Sequence, residues 1–336
     1  MKVIVDSKIP YIEGIIEKLA DEVVYIQGSE IKAQDVKDAD AMFIRTRTRC
    51  DRQLLEGSKV KLIITATIGF DHIDTAYCRE AGIVWENCPG CNAGAVEQYV
   101  HSSLSLLRQE KGINLRNACL GIVGVGHVGS RIAAMAQRMG IKVLLNDPPR
   151  ADRGETGFTD LHTLVEMCHI ITFHTPLTNE GIYRTYHLAD NNFFHSLKCK
   201  PYIINTSRGE VVCTQALLAA LEQHNISGAI IDTWEHEPNI DRELLHKAFI
   251  GTPHIAGYSI EGKINATRMA LETFCKFFRI TPDFALAFPE NCQHVFEKDD
   301  DKKQLLSYNP LDDCKTLRAH PELFEQIRSN YAFRHE

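Results

Sequence analysis

Six residues near the middle of the chain, Gly124-Val125-Gly126-His127-Val128-Gly129, restrict its fold more than any other stretch. An apolar run, Ala118–Val123, precedes them, and a helical pattern over Val128–Met139 follows. Gly124 lets a strand end in a sharp turn. Gly126 has no side chain, so a pyrophosphate can approach the backbone, and Gly129 lets the helix pack close to the strand. The start of that helix offers unpaired N–H groups and a partial positive charge to phosphates, with His127 and Val128 among the contacts. Asp147 follows the next strand, Lys142–Leu145, at the spacing of about 20 residues where an acid accepts bonds from ribose hydroxyls. An acid there repels a 2′-phosphate, so the expected cofactor is NAD; Arg150 nearby moderates that preference.

Around this loop the chain alternates short apolar runs with amphipathic ones. Leu161–Met167 and Gln215–Leu221 read as helices, and Ile170–Phe173, Tyr202–Ile204 and Ala229–Ile231 as strands. That succession predicts a doubly wound parallel sheet. A first α/β layer precedes it. Lys2–Asp6, Ala41–Ile44, Leu62–Thr65 and Ile83–Trp85 read as strands, and Ile12–Leu19 as a helix. Ala93–Gln109 is helical, with Val96, Val100, Leu104 and Leu107 on one stripe. The fold class is therefore α/β with two Rossmann-like domains. A long helix over Glu261–Phe278 is expected to return the chain to the first. Beyond Thr281 the pattern weakens: the charge run 297–303 reads as a solvated loop and Pro321–Tyr331 as a short helix.

Three polar residues after the glycine loop supply a reaction. Arg208, beyond the strand Tyr202–Ile204, has a planar fork that fits a carboxylate. His254, in Thr-Pro-His-Ile-Ala-Gly, lies in a turn after a strand and titrates in the range needed to take a hydroxyl proton. Glu237 in Trp-Glu-His-Glu-Pro is the carboxylate that fixes the tautomer of an imidazole beside it. Thr206 and Ser207 flank Arg208 on the cofactor side. Thr175 follows the strand Ile170–Phe173, at the crevice edge or in a plain helix-leading turn. Asp232 bonds the nicotinamide amide or caps a helix. Such a kit transfers a hydride between an alcohol carbon and NAD.

The remaining composition sets limits. With 336 residues the chain is long enough for about two domains. A net charge of -7 argues against a nucleic-acid or membrane-surface role. No apolar run approaches a membrane span, and Asp6 interrupts the short apolar start, so a cytoplasmic location is expected. The 11 cysteines read as free thiols. Cys88-Pro-Gly-Cys91 reads as a turn with two incidental thiols rather than a redox pair, and no metal site is expected. Arg45, Arg47 and Arg49 fall on one face if the chain stays extended after Ile44. They then suit a phosphate, or form a solvent-facing stripe.

The glycine loop, Asp147, Arg208, Glu237 and His254 together resemble the D-isomer-specific 2-hydroxy-acid dehydrogenase family over nearly the whole chain to about Thr281. Within that family, Thr65-Ala-Thr-Ile-Gly-Phe-Asp-His72, Asn146-Asp-Pro-Pro-Arg150 and His254-Ile-Ala-Gly-Tyr258 resemble a narrower group acting on a phosphorylated hydroxy acid. The resemblance implies catalysis by Arg208, Glu237 and His254. It implies substrate contacts at Thr46, Thr67 and Tyr258, joined by Arg45 or a neighbour from the arginine triplet, and cofactor contacts at Asp147, Thr175, Asp232 and Gly257. It also implies a substrate domain at 1–92 plus 258–283, an NAD domain at 93–257, and a C-terminal dimerisation region at 284–336 that makes a homodimer. A sister dehydrogenase for phosphoglycerate or lactate, or an NAD-sensing interaction protein on the same fold, are the alternatives.

Overall fold

In a computed structural model, residues 1–286 and 301–336 are described. The chain divides into two compact units: 1–92 with 259–286, and 93–258 with 301–336.

The first unit carries a five-stranded parallel sheet: β1 (Lys2–Asp6), β2 (Glu22–Ile26), β3 (Ala41–Ile44), β4 (Leu62–Thr65) and β5 (Val84–Glu86), in the order β2-β1-β3-β4-β5. The central strands are apolar throughout because both faces are covered. Along β3, Ala41 and Phe43 point into one core and Met42 and Ile44 into the other. The Ile260–Phe278 helix lies over the first of these faces through Ala266, Ala270, Leu271 and Phe274, so sequence-distant residues close this core. Ser259 starts that helix by accepting the Gly262 N–H.

The second unit has a six-stranded parallel sheet: β6 (Cys119–Val123), β7 (Lys142–Asn146), β8 (Ile170–Phe173), β9 (Tyr202–Asn205), β10 (Gly228–Ile231) and β11 (Ile250–Gly251). Its order is β11-β10-β9-β8-β6-β7. The order reverses beside β6, which is where open sheets of this type bind ligands. The Ala93–Lys111 and His127–Arg138 helices pack with the Leu120, Ile122 and Ile204 face of the sheet. The described tail docks on this same unit. Tyr308 and Cys314 enter one core, and Leu317 and Phe324 the other. Ser102 on the Ala93–Lys111 helix donates to the Tyr308 carbonyl, and Gln304 donates to Ser102.

Several local expectations need correction. Ile12–Leu19 is not a helix: only a 3-10 turn, Ile16–Lys18, forms, since Gly14 adopts φ 81° and breaks the turn before it can propagate. The half-buried strand β2 gave no apolar alternation and went unread. Residues 297–300 of the charge run lie outside the described residues. Asp301 to Lys303 are not a loop but open a helix, Asp301–Ser307, whose Asp301 pairs with Arg108. The expected C-terminal region is divided: Phe284 and Leu286 pack in the first unit, and 301–336 in the second. Cys88 and Cys91 are buried, with the Cys88 thiol donating to the Ala266 carbonyl and burial raising its pKa.

Phe43 is fully buried, its ring 5.3 Å from that of Phe274. Phe43→Ala is expected to lose about 3–5 kcal/mol. Calorimetry should find the transition of the first unit displaced to lower temperature.

Candidate active site

The glycine loop leaves β6 at Gly124, where φ is 88°. A Cβ there would lie 2.7 Å from the His174 backbone, so only glycine fits between the ends of β6 and β8. A Cβ on Gly129 would stand 2.1 Å from the Gly124 carbonyl oxygen. Gly126 instead faces open space, with no atom within 4 Å of a Cβ. That is the shape a pyrophosphate requires: a tight turn, close helix–strand packing, and one bare position at the helix start. His127 is exposed and Val128 half-buried in the first turn of the helix. The Thr175 hydroxyl, buried against Gly124, has no hydrogen-bond partner among the described residues.

Asp147 has a structural task besides any ligand. One carboxylate oxygen accepts the Val125 N–H at 2.8 Å and the other caps the Pro148–Asp152 helix through the Arg150 N–H. Each oxygen keeps a second lone pair for a ribose hydroxyl. Arg150 turns away from a cofactor role: it donates to the Val125 carbonyl and pairs with Glu155.

At the neighbouring strand ends, backbone turns present the reacting side chains. After β9, Asn205 builds the turn that carries Arg208. Its Oδ1 accepts the Ser207 N–H and hydroxyl, and its Nδ2 donates to the Arg208 carbonyl. Ser207 is therefore turned inward, whereas Thr206 contacts the ring of His174. His174 bridges Thr206 and Thr172, and burial pushes its pKa down to about 3, so it is a neutral support. Gly209 lies against Trp234: a Cβ would meet the Trp234 carbonyl at 2.0 Å. The Arg208 turn and the loop bearing Glu237 are thus in backbone contact.

That loop holds its carboxylate in a defined place. Glu237 accepts the Trp234 N–H at 2.9 Å, and the Trp234 indole donates to the Thr252 carbonyl. Glu237 Oε2 lies 2.8 Å from His254 Nδ1. Burial would raise the Glu237 pKa, but His254, its hydrogen bond, the Arg328 charge and the Trp234 N–H together hold it below the usual range. His254 adopts φ 57°, an uncommon conformation for a non-glycine residue. Asp232 fixes it there. This carboxylate, 1% exposed, accepts the Thr252 hydroxyl at 2.6 Å and the Ile255 and Ala256 N–H groups at 2.8 and 2.9 Å. Tyr99 in turn donates to the Thr252 hydroxyl. Asp232 is thereby committed to the His254 loop. Gly257 and Tyr258 are half-buried just beyond it, and the Tyr258 hydroxyl accepts from Arg328.

In the first unit the arginine triplet does not form one face. A turn bends the chain after Ile44, closed by the Thr48 N–H on the Arg45 carbonyl. Arg45 then pairs with buried Asp6 and Arg49 with Asp51. Thr46 is exposed on that turn. Thr67, beyond β4, donates to the Gly69 carbonyl and accepts from Thr65.

Reading the sequence missed Asn205, His174, Trp234, Thr252, Tyr99 and the tail arginines. Asn205, Trp234, Thr252 and His174 stand within three residues of Arg208, Glu237, His254 and Thr175 and share their motifs; Tyr99 and the tail arginines carried no such signal. A further group, His187, Cys213 and Glu235, has its ligand atoms within 4.8 Å of one another. Its Glu235 oxygens already accept from His187 and from the Thr214 N–H.

A parallel sheet with this loop, and an imidazole on a carboxylate at the adjoining strand ends, defines a nicotinamide-dependent dehydrogenase half. Residues 93–256 match the family model described as D-isomer specific 2-hydroxyacid dehydrogenase, NAD binding domain. The whole chain is 57% identical to the erythronate-4-phosphate dehydrogenase of Bacteroides fragilis, covering 97% of that protein. It is 42% identical, again over its whole length, to that of Shigella flexneri, covering 92% of it. Among solved structures it resembles 3-phosphoglycerate dehydrogenase of Entamoeba histolytica with NAD+ bound. That match has 28% identity and a TM-score of 0.69, covering 83% of this chain and 95% of the other. The chain belongs to the erythronate-4-phosphate dehydrogenase family, among the D-isomer-specific 2-hydroxyacid dehydrogenases.

Asp232→Asn replaces one acceptor oxygen with a donor against three donors that must be met. A loss of about 1–3 kcal/mol is expected. Denaturant unfolding should register it, with turnover lowered in the folded fraction.

Proposed function

We propose that this protein oxidises 4-phospho-D-erythronate at C2, giving 3-hydroxy-2-oxo-4-phosphobutanoate, a step of pyridoxal 5′-phosphate biosynthesis. The names of its full-length relatives support the substrate. The observation that carries the chemistry is the 2.8 Å contact between His254 Nδ1 and the Glu237 carboxylate.

With Nδ1 held by Glu237, Nε2 is the ring nitrogen left to take a proton. His254 removes the C2 hydroxyl proton as the C2 hydrogen departs with its electron pair. Bound NAD supplies the acceptor for that hydride, at C4 of its nicotinamide. The Gly124–Gly129 loop and Asp147 hold the pyrophosphate and ribose, and Thr175, Thr206 and Gly257 line the rest of the dinucleotide. Asp232 acts on the nicotinamide end through the loop it clamps. Glu237 stabilises the imidazolium as it forms. Arg208 holds the substrate carboxylate in two parallel hydrogen bonds and polarises the C2 oxygen. Arg45, Thr46, Thr67 and Tyr258 are assigned to the remainder of the substrate, including its phosphate. In this reading 1–92 with 258–283 is the substrate domain and 93–257 the NAD domain.

The enzyme works in the cytoplasm as a homodimer joined through 284–336. Leu306 on that region, 87% exposed, supports a partner surface, and the ten free thiols among the described residues support a reducing compartment. No helix among the described residues is long and apolar enough to cross a membrane. Sedimentation velocity should give twice the chain mass; a single-chain mass at micromolar protein would remove the dimer.

NADH formation with 4-phosphoerythronate, 3-phosphoglycerate and D-lactate tests the substrate. A preference for either of the other acids would replace this reading with a sister enzyme, and no NADH from any acid would favour a binding protein. His254→Ala is expected to lower turnover at least about a hundredfold with NAD affinity retained. Arg208→Lys should also be impaired, because an ammonium lacks the planar fork. Near-normal turnover in either variant would remove that residue from its role.

A further inference from the structure

The tail that follows the NAD-binding fold reaches the reacting pair. The helix Phe324–Ser329 is anchored by Phe324, buried in the core of the second unit. One turn further on, Arg328 extends its guanidinium to the Tyr258 hydroxyl at 3.3 Å and to Glu237 Oε2 at 3.5 Å. This is the oxygen that bonds His254 at 2.8 Å. Tyr331 and Phe333 place their rings edge-on to Tyr258, each 6.1 Å away. Arg334 then closes on the loop itself. Its five N–H donors go to Gln98 and to the carbonyls of Ala95, Ile255, Ala256 and Tyr258, and its guanidinium lies 4.0 Å above the Tyr308 ring. A guanidinium has only five donors, so Arg334 is saturated. The two arginines therefore differ in kind. Arg334 holds the backbone on which His254 and Tyr258 stand. Arg328 places a charge on the carboxylate that orients the imidazole.

We infer that Arg328 is a positioning residue for the reaction, and that the tail carrying it is a wall of the active site and not only an oligomerisation element. The inference rests on the His254–Glu237 reading above. Its physical content is competition for one carboxylate oxygen. Glu237 bonds both His254 and Arg328, so the cation weakens the field with which Glu237 holds a proton on the imidazole. The other charged or titratable groups facing this pair are Asp232 from the end of β10 and Tyr258 on the His254 loop; Arg334 lies behind the loop. Without Arg328, two carboxylates face the imidazole with one fewer cation. The proton is then held more tightly, and the base is freed only at higher pH.

The test is the pH profile of kcat/KM in the full-length enzyme. Arg328→Gln is expected to move the acidic limb up by about one pH unit or somewhat less, with NAD affinity unchanged. Arg328→Lys, which restores the charge but not the fork, should bring the limb back. If the glutamine variant does not fold, Arg328→Met keeps the aliphatic stem and takes its place with the same readout. A limb that stays in place, or moves down, while turnover or thermal stability falls would reduce Arg328 to a packing residue and overturn the inference. A wild-type enzyme without NADH formation from any hydroxy acid would sink the functional reading and this inference together. An active wild type with an unmoved limb sinks this one alone.

Discussion

The buried carboxylate of Asp232 is the constraint on which the site depends. A carboxylate in the interior is tolerated only when its oxygens are met by donors. Burial pushes the pKa of Asp232 up, and the charge of His254 with donors from Thr252, Ala256 and Ile255 opposes that rise. Those donors all belong to the loop that carries His254, and the loop can offer them only by bending sharply. The bend is what gives His254 its left-handed backbone, a conformation that costs of order 1–3 kcal/mol for an ordinary residue. Strain and desolvation are thus resolved by the same three bonds. If the loop relaxed, the carboxylate would lose its partners; if the carboxylate were absent, nothing would keep the imidazole aimed.

Other contacts repeat this coupling. Trp234 ties the Glu237 loop to Thr252 through its indole and gives Glu237 its backbone N–H. Gly209 lets the Arg208 turn rest on that same loop. Thr252 receives the Tyr99 hydroxyl from the Ala93–Lys111 helix and passes its own proton to Asp232. Three strand ends and one long helix therefore share a single hydrogen-bonded frame. A parallel sheet favours this, since all its strands end on the same side and their loops meet there.

The sequence made some of this legible because the relevant signal is local. Buried strands such as Ala41–Ile44 and Ile170–Phe173 declare themselves by apolar runs between turns, and the glycine loop by three positions that each answer a separate steric demand. Arg208, Glu237 and His254 stand out because their residue types stand near strand ends, where open sheets bind ligands. The misses have a different origin. Ile12–Leu19 has helical spacing but contains Gly14 at positive φ, and a backbone dihedral overrides the pattern. The Arg45, Arg47, Arg49 alternation assumed extended chain where a turn occurs. Asn205 and the Trp234 N–H act over two or three positions, in turns that residue type alone does not announce; the Trp234 indole reaches 18 positions to Thr252, and Arg328 lies 91 positions from Glu237.

Counting charge around the imidazole gives the arrangement a direction. Asp232 and Glu237 contribute two negative charges, and Arg328 from the tail contributes one positive charge. With His254 neutral, this cluster is one positive charge short. Once His254 accepts a proton, the four groups balance. A buried group of charges is least costly when paired, so the protein is arranged for the state that follows proton abstraction rather than the one that precedes it. The imbalance must nevertheless be small, because an imidazole facing two unopposed carboxylates holds its proton more tightly and is freed as a base only at higher pH. One tail cation beside Glu237 keeps the deficit at a single charge, which proton transfer from the substrate hydroxyl then cancels.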